Sequence, residues 1–233
     1  MGCEIPTLNK KSYLVTEGEQ IRKVGAWPVR LLAAPTLLVA TACATGLPAE
    51  PIGAQVLDSE TSQPLQGVTI VGQWIGTVGG FGHSSTRCYH VNVSSSDAGG
   101  KFSLQGAEDE RKYAHGDHYT RLYSYSDGYR GLDGFYTVEQ PAPKTHLLQR
   151  YVGSANERLE YLIRLHGLLA CGAQDGSEKN LLPVYKLLYR EALSIASGPE
   201  EKKKAERIRF SIDSLKLGFP EAQKRLMQGE YSK

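Results

Sequence analysis

Charge of one sign is the first thing this 233-residue chain lacks: Lys plus Arg is 27 and Asp plus Glu is 25, a formal balance of +2. Without a basic surplus to neutralise phosphates, no nucleic-acid partner is expected. Long hydrophobic runs are missing too. A spanning helix needs about 20 apolar residues, whereas the uncharged stretch Leu31 to Cys43 is shorter and contains Pro35. Met occurs twice and Phe five times, which argues against a helix-only fold. Patterns that carry chemistry are absent as well. There is no HExxH or HxxE pair for a zinc hydrolase, no CxxC spacing, no GxSxG elbow and no GxxxxGK[ST] phosphate loop. No enzyme, metal or cofactor is expected. His115, Asp117 and His118 lie within four residues, but beside Gly116, Glu108, Asp109 and Glu110 they read as a solvated loop.

What is present is enough for an ordinary core: 40% hydrophobic and 22% charged residues. Gly 25, Pro 11 and Tyr 13 point to turns and half-exposed strands. The length allows one large domain, or a medium one with a smaller companion.

Arg30, the apolar run to Cys43, and the small residues and prolines that follow have the layout of a cleaved secretory leader. Val39-Ala40-Thr41-Ala42-Cys43 resembles a bacterial lipobox, which implies lipidation of Cys43 as the mature N-terminus. The resemblance departs at Ala40, where leucine is usual. Cleavage by an ordinary signal peptidase after Ala42, or a buried apolar helix, are the alternatives. Residues 1–42 are therefore read as a leader and 43–50 as a linker. Met1 to Val29 is long for the start of such a leader, so a start at Val29 is considered. Removing residues 1–42 leaves 22 residues of each sign, so attachment to the membrane would rest on acyl chains at Cys43 rather than charge. In the usual sorting logic of lipoproteins, Ala44 directs the chain to the periplasmic side of the outer membrane.

From Ile52 the apolar positions Val56, Val68, Ile70 and Trp74 alternate around a turn-rich centre holding Asp58, Pro64 and Gly67. A second block, Val91 to Leu104, reads as strand, hairpin at Gly99-Gly100 and strand. A third alternates from Leu122 to Tyr129 with a turn at Asp127-Gly128. Gly53 to Asp58, Thr61 to Val68, Ser96 to Phe102 and Gly128-Tyr129 together resemble the carboxypeptidase regulatory-like domain, a transthyretin-like β-sandwich. Ser62-Gln63 before Pro64 and Ser96 in place of threonine are departures, and the stretch from Val71 to His90 looks like an insertion. The resemblance implies a folding and interaction module over residues 51–140, with no catalytic zinc domain. The fold class is then α+β: an antiparallel transthyretin-like sandwich followed by helices.

The aromatics Trp74, Tyr123, Tyr125 and Tyr129 have two readings. Alternating tyrosines pack on a sheet, or they form a glycan- or peptide-binding face together with the glycine-rich loop Trp74 to His90. Beyond Ser154-Ala155-Asn156-Glu157, a capping-box spacing, apolar residues recur at helical intervals in three segments within residues 154–229, separated by Cys171-Gly172 and Gly198-Pro199. A short fourth helix follows from Pro220. His166 sits on the apolar stripe as a core histidine. With Cys3 in the leader and Cys43 lipidated, Cys88 and Cys171 remain, either as a disulfide tying the sandwich to the helices or as two buried thiols. The overall expectation is a non-catalytic exported envelope lipoprotein whose partner is a membrane through Cys43 and an envelope protein, or a glycan or peptide.

Overall fold

A computed structural model describes residues 51–80, 83–107, 117–137 and 140–231. All of them belong to the second of two units, Cys43–Lys233. The leader, the linker with Cys43, and His115 lie outside the described residues.

Among the described residues, eight strands and four α-helices make the fold a mixed α+β one. The first sheet has the order β4 (Lys101–Leu104), β1 (Ile52–Asp58), β8 (Thr145–Arg150) and β6 (Tyr129–Arg130), with β1 parallel to β8 and the other pairs antiparallel. The second is antiparallel throughout, in the order β3 (His83–Ser95), β2 (Thr69–Gly80), β5 (His118–Tyr125) and β7 (Asp133–Tyr136). Val56, Ile70, Phe102, Leu104, Leu122 and Leu148 are buried together between the sheets. This follows from the period of two: β1 and β4 put alternate residues inward.

The second sheet is apolar on both faces. Ile70 and Leu122 face the first sheet, whereas Val71, Val91, Tyr123 and Tyr125 pack against helical residues Leu159, Leu162, Leu188 and Ile208. Helix α1 (Ala155–Leu169) starts with a complete capping box between Ser154 and Glu157, and α2 (Leu182–Ile195) is preceded by a 3-10 turn, Ser177–Leu181. Then come α3 (Pro199–Leu217) and α4 (Phe219–Met227), each with proline in its first turn.

The turn residues act as their chemistry requires. Asp58 Oδ1 accepts from the amides of Glu60 and Thr61, both at 2.9 Å, and Asp97 Oδ1 accepts from those of Gly99 and Lys101 at 2.8 Å. Of the two hairpin glycines, Gly100 is the one with positive φ (+73°), and a Cβ there would meet the Val56 carbonyl oxygen at 2.4 Å.

Three expectations change. The sandwich is not antiparallel throughout, because β8 returns alongside β1 in the same direction and pairs with it in parallel. The segment Trp74 to His90 is not a loop: β2 and β3 pair continuously from Thr69↔Ser95 to Gly80↔His83, with a register shift at Trp74/Ile75. Val71, Ile75, Thr77 and Val78 favour the strand, and the bulge absorbs the irregularity among the glycines. The strands also extend past residue 140, because β8 pairs with β1 and buries His146 and Leu148.

Candidate functional site

Gly72, two residues before Trp74 on the inward face of β2, leaves space for the indole to fold back; a Cβ there would meet the Trp74 ring at 2.8 Å. Trp74 is thereby buried, with its ring 5.1 Å from that of His90. Its edge helps line an aromatic cleft of about 370 Å³ shared with Tyr89, His118, Tyr119, Tyr136 and Lys144. Tyr89 and His118 are joined edge to face with ring centroids 5.8 Å apart, and the Tyr89 hydroxyl lies 3.4 Å from His118 Nδ1. Behind this wall His146 sits between Phe102 and Tyr136, only 3% exposed. Its Nε2 has no partner among the described residues, and burial holds the imidazole below its ordinary pKa. It is accordingly neutral at neutral pH. Aromatic faces, one lysine and histidine edges suit stacking and hydrogen bonding of a neutral, polar ligand.

The other expected ligand residues do not join Trp74. Tyr123 is 1% and Tyr125 8% exposed. Both project from β5 into the helical layer, so neither ring offers a free face. Tyr125 donates from its hydroxyl to Glu191 Oε2 at 2.6 Å, and it borders a separate depression with Thr69, Asp127 and Arg190. Burial, reinforced by that carboxylate, raises its pKa above the tyrosine range. Tyr129 instead closes the first sheet, its hydroxyl donating to Asp58 Oδ2 at 2.7 Å. This hydrogen bond, with the amides of Thr61 and Glu60, lowers the Asp58 pKa to about 2.

A buried ionic cluster joins α1, α2 and the β5–β6 turn. Arg158, 6% exposed, donates from Nε to Glu191 Oε1 at 2.7 Å and from Nη2 to Oε2 at 3.2 Å. Its remaining N–H groups reach the carbonyls of Tyr129 (2.5 Å) and Ser126 (3.3 Å), and the guanidinium lies over the rings of Tyr151 and Tyr161. Nothing in the sequence reading singled out this group. The available signal was Arg158 starting the buried stripe that continues at Leu162, Leu165 and Leu169.

Cys88 and Cys171 form a disulfide between β3 and the segment after α1. Around it the helical layer covers the free edge of β3: the Val91 amide donates to Ser177 Oγ at 2.7 Å, and Asn180 Nδ2 donates to the Val91 carbonyl at 2.9 Å. His90 Nδ1 meets Asp175 Oδ2 at 2.6 Å, while its buried Nε2 has no partner among the described residues. Among the described residues no cluster of three His, Cys, Asp or Glu is placed to hold a metal, and no helix is long and apolar enough to cross a membrane.

No family model matches the chain, and no curated protein matches it. A solved structure with some likeness is a 9R-lipoxygenase from Cyanothece PCC8801, at 11% identity and a TM-score of 0.25, over 72% of this chain and 28% of that one. A likeness this weak carries no argument about fold or chemistry.

Proposed function

We propose that the protein is an exported bacterial envelope lipoprotein, anchored by acyl chains on Cys43, whose transthyretin-like sandwich and packed helices serve a non-catalytic structural or protein-interaction role. The observation that carries this reading is the Cys88–Cys171 disulfide, since such bridges persist in oxidising compartments outside the cytosol. Further support comes from the residues of the carboxypeptidase regulatory-like pattern, which meet in space: Tyr129 from the last motif hydrogen-bonds Asp58 from the first. Ser96 from the third accepts from the Val68 amide and donates to the Leu65 carbonyl of the second. Detergent-phase partitioning of source cells tests the anchor. The native chain is expected in the detergent phase and its C43S variant in the aqueous or precursor fraction; equal partitioning of both would refute acylation.

The aromatic cleft favours a second reading, a glycan- or peptide-binding module. The chain has two tryptophans, Trp27 and Trp74, so in a W27F background the emission reports on the cleft alone. A saturable shift on titration with cell-wall oligosaccharides or peptides supports this reading, and a flat response to both rejects it.

A further inference from the structure

Four large apolar side chains stand exposed within eleven consecutive residues: Leu217 at 44%, Phe219 at 60%, Leu226 at 48% and Met227 at 82%. Elsewhere such residues occur scattered, and Phe135 is covered by the Arg121 guanidinium 4.2 Å from its ring. In α4, buried Ala222 seats the helix, and Phe219, Leu226 and Met227, at i, i+7 and i+8, lie beside it within about 100° of the helix circumference, still exposed, with Phe219 meeting Phe210 edge to face at 6.0 Å between ring centroids. Glu221 and Arg225 occupy the opposite side, where Arg225 approaches Glu221 at 3.9 Å and Asp213 at 3.8 Å. The apolar stripe continues into an open groove of about 560 Å³, where Leu226, Phe210 and Tyr231 meet the cations Lys203 and Arg207, which outnumber the one exposed carboxylate there, Glu200.

Charge decides what fits there. Lys203, Arg207 and Lys224 are exposed and have no ion-pair partner among the described residues. Lys204 is engaged by Glu160, and Glu206 by Arg209 and the Tyr189 hydroxyl. Residues 199–227 hold eight Lys and Arg against five Asp and Glu, although residues 43–233 balance overall. A second protein copy is a poor occupant, because a nine-residue helix cannot supply the roughly 800 Å² per partner that a stable interface needs. A helix lying at a lipid interface needs only a short apolar stripe with cations beside it.

We infer that the α3–α4 corner docks on an anionic phospholipid bilayer, with Phe219, Leu226 and Met227 entering the acyl boundary and Lys203, Arg207 and Lys224 facing lipid phosphates. This contact is separate from Cys43 and does not require its acylation. Hydrogen exchange of the full chain read by mass spectrometry over residues 217–228 tests it, because a local readout is insensitive to tethering by the leader. Vesicles of phosphatidylcholine with phosphatidylglycerol are expected to slow exchange in this segment at least fivefold, and vesicles of phosphatidylcholine alone to leave it unchanged. The F219S/L226S/M227S and K203Q/R207Q/K224Q variants should each lose the protection while α1 exchange stays as in the parent. Unchanged exchange on anionic vesicles that sediment with the chain would overturn the inference. So would equal protection on both vesicle types, or protection without vesicles that grows with protein concentration.

Discussion

Replacing Arg158 by methionine probes the joint between sheet and helices. The side chain is 6% exposed and carries two contacts to Glu191, two backbone carbonyls and two tyrosine rings. Methionine keeps most of the stem volume, so the loss is electrostatic more than steric. Removing one partner of a buried pair leaves Glu191 uncompensated, which typically destabilises by about 3–5 kcal/mol. For a folded body of this size each kcal/mol moves Tm by roughly 2–4 °C, so R158M should melt about 6–20 °C lower. The E191L change alone strands the guanidinium in the same way. In R158M/E191L no buried charge is left, and the double variant should lose at least ~2 kcal/mol less than the sum of the singles. Urea denaturation followed by circular dichroism supplies all the values of the cycle. An R158M loss below about 1 kcal/mol, or additivity within roughly 0.5 kcal/mol, would refute the reasoning.

Four further outcomes are expected. The C88S/C171S variant frees a loop of 83 residues and should lose about 4.5 kcal/mol on the chain-entropy estimate, measured by urea unfolding against the oxidised parent. Asp58 is held at about 2, first by the Tyr129 hydroxyl, so its contribution is complete above about pH 4 and fades as pH falls towards 2; Y129F should raise the Asp58 pKa in a carbon-detected NMR titration and shift acid unfolding to higher pH. Burial lowers the His166 pKa to about 4. The unfolded chain therefore binds the extra proton first, and stability should fall by at most about 3 kcal/mol from pH 6.5 to 4, a slope that H166Q should flatten. At Gly131 a Cβ would lie 1.9 Å from the Ser124 carbonyl oxygen, so G131A should lower the melting temperature by roughly 5–10 °C, as expected for about 2–3 kcal/mol of forced backbone movement.

The parts that local chemistry governs were legible in the sequence. Ser154 with Glu157 announced the start of α1, Gly198-Pro199 separated α2 from α3, and the Asp58 and Asp97 turns lie where short polar side chains can bond the following amides. Long-range partners were less visible. Strand β8 is six residues long and follows a proline-rich stretch, and only its parallel pairing with β1 makes it a strand. The β2–β3 ribbon was hidden by its glycines, which in isolation signal flexibility but here sit in a paired ladder. The tyrosines were correctly placed on alternating positions of β5. The helices then cover Tyr123 and Tyr125, which period-two alternation cannot reveal because both faces of this sheet are buried. Arg158 and Glu191 lie 33 residues apart on different helices, and no local pattern pairs them.

Export is the claim on which the proposed role turns, and one measurement addresses it directly: non-reducing peptide mapping of the protein from its native cells, with thiols blocked at lysis. The expected map contains a peptide joining Cys88 to Cys171 and an N-terminal peptide beginning at an acylated Cys43. Recovery of both thiols alkylated, together with unmodified peptides spanning Asn9 to Arg22 from the bulk of the protein, would contradict it.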